Sequence, residues 1–294
     1  MSESQHPYRD VTPEVTPKPE RRWLPGFLFA ATFLTTTFAG AIQQGVDLFE
    51  QPLGLVSGLP FSVTLMAVLM VHEMSHYLAS RAHKVPSTLP FFIPAPSIIG
   101  TFGAVIRMKG AIWDRRALLD IGASGPIGGF LLALPALTFG LAISTVVTGV
   151  EGGEGLILGD SLLMLVLERL VLGGLPADAD IILHPIAFAG WIGMFVTSLN
   201  LLPVGQLDGG HIAKALFPEQ FNVIARAVHF VLIIMGVFFW EGWLIWAILL
   251  IFIGVRHPPV MFPHISLGDR RRKVGYVALV IFVLTFVPAP FKIM

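Results

Sequence analysis

The chain has 294 residues, a formal net charge of zero and a mean hydropathy of +0.77, and only 13% of its residues are charged. Because soluble domains carry about 25% charged residues, this composition excludes an ordinary soluble protein and indicates an integral membrane protein in a lipid bilayer. The absence of cysteine excludes disulfides and thiolate metal sites, and we expect no nucleic-acid partner.

The chain begins with a polar stretch, residues 1–22, which is rich in Pro and Glu and predicts a disordered tail. It lacks the apolar core and small-residue cleavage site of a signal peptide. The first transmembrane helix is expected at residues 24–45, a length that can cross a hydrocarbon core of about 30 Å.

The second span, expected at residues 61–82, contains a His-Glu-x-x-His motif formed by His72, Glu73 and His76. On a helix the two histidines lie on one face, about 6 Å apart along the axis, so their imidazoles can both bind one Zn²⁺ ion. Glu73 points about 100° away, where it can hold a water beside the metal and accept its proton. The motif arises by chance about once in a hundred chains of this composition. Its position in an apolar span indicates a functional site, because ionisable groups are costly there.

Prolines interrupt the helical pattern between residues 83 and 116, and two short stretches, residues 91–93 and 101–108, are typical of strands. We interpret them as a hairpin that dips against the motif-bearing helix, with a peripheral loop as the alternative. The third span is expected at residues 117–144, and its many small residues favour close helix packing. Asp120 near its start is expected to pair with Arg116 or to extend toward the interface.

The segment from 148 to 184 is acidic, and its apolar part, residues 161–172, is too short for a span and is either re-entrant or interfacial. Further spans are expected at residues 185–204, 223–240, 242–255 and 274–287, the last of them after a basic loop at 269–273. The expected fold is therefore an all-α polytopic membrane protein of about six or seven transmembrane helices. A small membrane-associated β-hairpin lies between the second and the third helix.

Lysine and arginine indicate the orientation of these spans. With the N-terminus in the cytoplasm, all of the 19 basic residues except Arg169 and Lys292 fall on the cytoplasmic side, as the positive-inside rule requires. The end of the second span and the segment around Asp208 then face the same side of the membrane.

Two histidines are too few for a catalytic zinc ion, which usually has three protein ligands and a water. His83 lies roughly 16 Å from His72 along a continuous helix, so we reject it as the third ligand. Asp208 is favoured because it ends an apolar helix and because Gly209 and Gly210 allow a sharp turn there. An isolated Asp-Gly-Gly sequence is more often only a turn, but here it accompanies the histidine motif on the same side.

Three motifs together resemble the site-2 protease family of intramembrane zinc metalloproteases, peptidase family M50. They are His72-Glu73-x-x-His76, Gly125-x-x-x-Gly129 and Asn200-x-x-Pro203-x-x-x-Leu207-Asp208-Gly209-Gly210. The resemblance covers residues 60–215 and implies one zinc ion per chain, bound by His72, His76 and Asp208. It further implies that Glu73 is the catalytic base and that Asn200 helps to hold the substrate or the developing oxyanion. The reaction implied is hydrolysis of a peptide bond in a membrane-embedded substrate helix.

The same resemblance suggests a subgroup and a division of the chain. Residues 91–107 and 256–259 resemble the subgroup found in bacteria and plastids, and we expect neither a PDZ nor a CBS domain. The expected parts are a cytoplasmic tail (1–22), the first transmembrane helix and link (23–59), a catalytic membrane core (60–215) and C-terminal transmembrane helices (216–294). A bacterial cytoplasmic membrane is expected, with regulated intramembrane proteolysis as the process and the oligomeric state left open. The competing hypothesis is a non-proteolytic zinc-binding scaffold or carrier.

Overall fold

A computed structural model describes residues 23–148, 156–176, 179–254, 260–262 and 265–293. Its helices are α1 (Leu24–Gln43), α2 (Leu59–Ala82), α3 (Arg115–Ala142), α4 (Leu162–Leu172), α5 (Pro185–Asn200), α6 (Asp208–Leu216), α7 (Phe221–Phe238), α8 (Gly242–Ile253) and α9 (Asp269–Thr285). The strands are β1 (Phe91–Pro94), β2 (Thr101–Val105), β3 (Thr145–Thr148), β4 (Leu156–Leu158), β5 (Ala179–Ile182) and β6 (Phe291–Ile293). A short 3-10 helix, Pro52–Gly58, leads directly into α2.

Four helices in the described part of the chain are long and apolar enough to cross a membrane: α1, α2 with the 3-10 turn before it, α3 and α7. Two more apolar helices, α5 and α8, are shorter. The chain is thus a mostly helical protein with membrane-spanning helices, and the fuller count of six or seven spans stays a prediction.

Helix α3 lies at the centre of the bundle, between α2 and α5, and its glycines set the spacing. A Cβ at Gly140 would lie 2.5 Å from the Cα of Ala187, and a Cβ at Gly190 of α5 would lie 2.9 Å from the Cα of Leu137. Such close approach of backbones is how small residues promote helix association in membranes. The many small residues of the third span therefore correspond to packed surfaces of α3.

The hairpin β1–β2 follows α2 along the chain. Its strands pair antiparallel, with Phe91 opposite Val105 and Phe92 opposite Ala104, and the register shifts before Pro94. The side chain of Phe92 is buried and makes an edge-to-face contact with Phe29 of α1, with ring centroids 5.1 Å apart. Strand β1 therefore packs on α1.

Two further strand pairs, β3–β5 and β4–β6, flank α4 and were not predicted from the sequence. They tie the acidic segment together: β3 follows α3 and pairs with β5 just before α5, and β4 pairs with the last described residues of the chain. Helix α4 lies between them. Its N-terminus is capped by Ser161, whose side chain accepts a hydrogen bond from the backbone N–H of Met164.

Three sequence predictions were wrong at the level of local structure. The basic stretch expected as a loop at 269–273 is the first part of α9. Asp208 does not end a helix but begins α6, since α5 has already ended at Asn200. Asp120 pairs with Arg271 and His83 rather than with Arg116. It accepts hydrogen bonds from Arg271 at 2.8 Å and from His83 at 2.9 Å, and these contacts connect the ends of α2, α3 and α9. The predicted motif at residues 256–259 lies outside the described residues.

Candidate metal centre

The metal-binding candidates lie on two helices that are far apart in the sequence and meet within the bundle. His72 and His76 lie one turn apart on α2 and face α3, and Asp208 opens α6. The side chains of both histidines are buried, and Asp208 is nearly so, with 16% of its side chain exposed. Burial of three such polar groups in an apolar bundle is costly unless they bind one another or an ion.

The spacing of the three donor atoms fits a tetrahedral metal ion. Nε2 of His76 is 3.1 Å from Nε2 of His72 and 3.2 Å from Oδ2 of Asp208, and the third separation is 3.3 Å. Ligands at zinc bond lengths of about 2.0–2.1 Å in a tetrahedral array are about 3.3 Å apart. In the described residues this is the one group of three or more such side chains that could hold a metal ion. The donor set therefore fits zinc in size and in chemistry.

The backbone of α3 holds the imidazole of His76 in the orientation that metal binding requires. Its Nδ1 lies 2.7 Å from the carbonyl oxygen of Ile121, which can only accept, so Nδ1 carries the proton and donates it. Nε2 is then left with a lone pair directed toward Asp208 and His72. A carbonyl partner of this kind fixes the tautomer and the ring plane of a metal-binding histidine.

Two glycines of α3 provide the room for these rings. A Cβ at Gly125 would overlap the imidazole of His76, with Cε1 at 2.5 Å, and a Cβ at Gly129 would lie 3.0 Å from Nδ1 of His72. The Gly125-x-x-x-Gly129 pattern, which the sequence linked to helix packing, is thus the surface on which both imidazoles lie. Their hydrogen bonding and spacing depend on α3 as much as on α2.

Glu73 and Asn200 complete the surroundings of the three donors. Glu73 is buried, and it lines the cavity together with Ile106, just after β2. The side-chain nitrogen of Asn200, at the end of α5, is 3.3 Å from Nε2 of His72. All five residues predicted from the sequence therefore line one cavity of about 200 Å³.

Further residues from the hairpin, from α3 and from the segment around Asp208 form the remaining walls of the cavity. Residues 104–106 of the hairpin, Ile121 of α3, and Gln206 and His211 on either side of Asp208 also line it. The sequence predicts a hairpin against the motif-bearing helix, whereas nothing in the sequence indicates that Gln206 lines the cavity. His83, rejected as a ligand, is bound to Asp120 instead.

The site contains two imidazoles and a carboxylate at tetrahedral spacing, a second carboxylate next to them and an accessible cavity. Such a set of groups can activate a water for hydrolysis. The two histidines and Glu73 are carried by an apolar helix that is long enough to cross a membrane. Together they define a helical membrane protein of the zinc metallopeptidase class.

Comparison with known proteins places the chain within that class. The family model of peptidase family M50 matches residues 60–240, more than half of the chain, and the chain belongs to this family. It is 34% identical over 239 residues to a probable chloroplastic zinc metalloprotease EGY1 of Oryza sativa subsp. japonica, covering 79% of this chain and 41% of that protein. It is 28% identical over 296 residues to a probable chloroplastic zinc metalloprotease EGY2 of Arabidopsis thaliana, covering 97% and 52%.

The chain thus spans about half the length of the curated relatives it matches. No solved structure matches it.

Proposed function

We propose that the protein is an intramembrane zinc metalloprotease that hydrolyses a peptide bond in or near a transmembrane helix of a membrane-protein substrate, as in regulated intramembrane proteolysis. The observation that carries this proposal is the tetrahedral spacing of His72, His76 and Asp208 beside the buried carboxylate of Glu73. The relatives named as zinc metalloproteases support the same chemistry.

In this reaction the zinc ion, when bound, supplies Lewis acidity that makes a neighbouring water more acidic and polarises the scissile carbonyl. Glu73 accepts the proton of the attacking water and passes it to the leaving amine nitrogen. The side-chain amide of Asn200 donates a hydrogen bond to the carbonyl oxygen as negative charge develops on it.

A substrate helix must unwind before this can happen, because its peptide bonds are hydrogen-bonded and shielded within the helix. Strand β2 is suited to receive the unwound segment. It pairs only with β1 among the described strands, and its residues 104 and 105 line the cavity. The substrate would add to this edge as a further strand, with its backbone bound by β2. Cleavage that tolerates a proline at Ala104 would contradict this binding mode.

We propose the same membrane placement that the sequence predicts. The catalytic core is residues 60–215, the C-terminal spans follow in 216–294, and the metal centre opens to the cytoplasmic side. The contact of Asp120 with His83 and Arg271 supports it, because it gathers the basic ends of α2, α3 and α9 at one end of the bundle. The chloroplastic names of the relatives give no support to a bacterial membrane in particular.

The test is cleavage of a single-span reporter protein by the purified chain in liposomes, with zinc content measured on each sample. Glu73→Gln should abolish cleavage and leave the zinc bound, since the glutamine cannot accept a proton. Stoichiometric zinc without cleavage of any membrane substrate would favour the competing non-proteolytic scaffold. A wild-type chain without zinc would contradict the metal centre itself.

A further inference from the structure

The tip of the β1–β2 hairpin is hydrogen-bonded to α1, far from the metal centre. Oγ1 of Thr35 donates to the carbonyl of Gly100 at 2.6 Å, and Nε2 of Gln43 donates to the carbonyl of Ile98 at 2.6 Å. The threonine hydroxyl also lies 3.2 Å and 3.1 Å from the carbonyls of Ala31 and Thr32 in its own helix, so its contact with the hairpin is the shortest. Two polar side chains of an apolar helix are therefore directed to one turn.

The turn at the hairpin tip is shaped for this contact. Gly100 has φ +80°, and a Cβ there would lie 2.6 Å from the Cα of Thr36. The carbonyl of Gly100 also accepts the backbone N–H of Ala95, which closes the turn. A residue with a side chain would be strained in this conformation and would push the tip away from α1.

The opposite end of β2 lies at the metal centre, where Val105 and Ile106 line the cavity together with Glu73. Ile106 follows Gly100 by six positions, or about 20 Å along a strand. Between these two points β1 is held against α1 by the buried ring of Phe92. Strand β2 therefore runs from a tip held on α1 to the cavity at the metal centre.

We propose that Thr35 and Gln43 are positioning residues for substrate binding. By fixing the hairpin tip on α1 they align the whole free edge of β2 with the metal centre, so that an added substrate strand enters the cavity in register. This inference rests on the proposed proteolytic function and extends it to α1, which lies outside both the core motifs and the residues matched by the family model.

The first experiment measures the kinetics of reporter cleavage by the zinc-loaded full chain in liposomes. Thr35→Val keeps the shape of the side chain and removes the donor, while Thr35→Ser keeps the hydroxyl. We expect Thr35→Val to raise KM about 2- to 10-fold, as for loss of one hydrogen bond, with kcat and zinc content unchanged and with Thr35→Ser close to wild type. Gln43→Leu should act in the same direction.

Matched controls lie elsewhere in the bundle. The hydroxyl of Thr138 donates only to the carbonyl of Leu134 within α3, so Thr138→Val should leave KM unchanged. Gln44 is the exposed neighbour of Gln43, and Gln44→Leu should be neutral. Equal KM values in Thr35→Val, Gln43→Leu and wild type would overturn the proposal, as would a rise in Thr138→Val equal to that in Thr35→Val.

A second measurement does not depend on activity. Because the chain has no cysteine, a single nitroxide label at Ile98→Cys, whose side chain is exposed, reports on the hairpin tip alone. Thr35→Val should increase the mobility of this label, and Thr138→Val should not; unchanged mobility in Thr35→Val would overturn the anchoring. A wild-type chain that binds zinc but cuts no substrate would overturn the proposed function and the substrate role with it, whereas the label would still decide whether Thr35 holds the tip.

Discussion

Replacement of Gly125 by alanine tests the metal centre through a residue that binds nothing itself. The added Cβ would lie 2.5 Å from Cε1 of His76, whereas carbon atoms in ordinary contact are about 3.5–4.0 Å apart. The imidazole must therefore move by about 1 Å or more, and metal–ligand bonds tolerate only about 0.2 Å. Alanine is otherwise the better helix former, by about 1 kcal/mol, so any loss comes from the overlap.

We expect Gly125→Ala to weaken zinc binding at least about 100-fold, the upper range for residues that support a metal ligand, or about 2.7 kcal/mol. At a zinc concentration 100 times the wild-type Kd, zinc stabilises the wild type by about 2.7 kcal/mol and the variant by about 0.4 kcal/mol. The assay is thermal unfolding in detergent with and without zinc, together with competition by a chelator. The zinc-dependent rise in Tm should nearly vanish in the variant.

The control is Gly128→Ala on the same face of α3. Its Cβ would meet the hydroxyl of Ser75, a side chain that can rotate and is not a metal ligand. This variant should keep its zinc affinity, even if helix packing changes slightly. If Gly125→Ala binds zinc as tightly as wild type, His76 does not lie against α3 and the proposed centre is wrong.

Three other expectations concern the ligand carboxylate, an ion pair and a titrating group. Asp208→Ala removes one of three donors, so metal analysis should find only traces of zinc; full occupancy would exclude Asp208 as a ligand. Asp120→Asn weakens the contacts with Arg271 and His83, which are partly exposed. The free energy of unfolding should therefore fall by about 1 kcal/mol, with no change in zinc affinity. An unchanged Tm would show that these contacts do not hold α9. Outside the four membrane-spanning helices, burial and then the charge of Asp160 raise the pKa of Glu168 from 4.5 to about 7. Unfolding then releases a proton in this range, so Tm should fall as pH rises from 4.5 to about 7, and Glu168→Gln should remove that slope.

The parts of the structure that sequence reasoning could predict are those with a local signal. His72 and His76 repeat at one helical turn within an apolar run, so their common face followed from helix geometry. Helix ends were predicted to within a few residues where hydropathy changes sharply, as at Ala82 and Ala142. Charge misled the prediction at the start of α9, because a helix can begin in the polar layer before it enters the membrane.

Other features have no signature in the sequence because they involve the backbone. The partner of His76 is the carbonyl of Ile121, and every residue has such a carbonyl. Ile106 likewise lines the cavity with Glu73, and only the fold brings the two residues near each other. The strands β3 and β5 have four residues each and pair across an intervening strand and helix, so neither shows the alternation that identifies a strand.

The glycine surface of α3 links the metal centre to the assembly of the bundle. On α2 alone the two histidines lack the packing surface at Gly125 and the hydrogen-bond acceptor at Ile121, which both belong to α3. Asp208 lies beside them only when α6 has docked. Helices that have entered the membrane separately thus have no binding site for zinc until they associate. If zinc binds at this centre, metal loading would therefore follow helix insertion and helix association, and the zinc content of a purified sample would report the fraction of molecules whose helices have assembled.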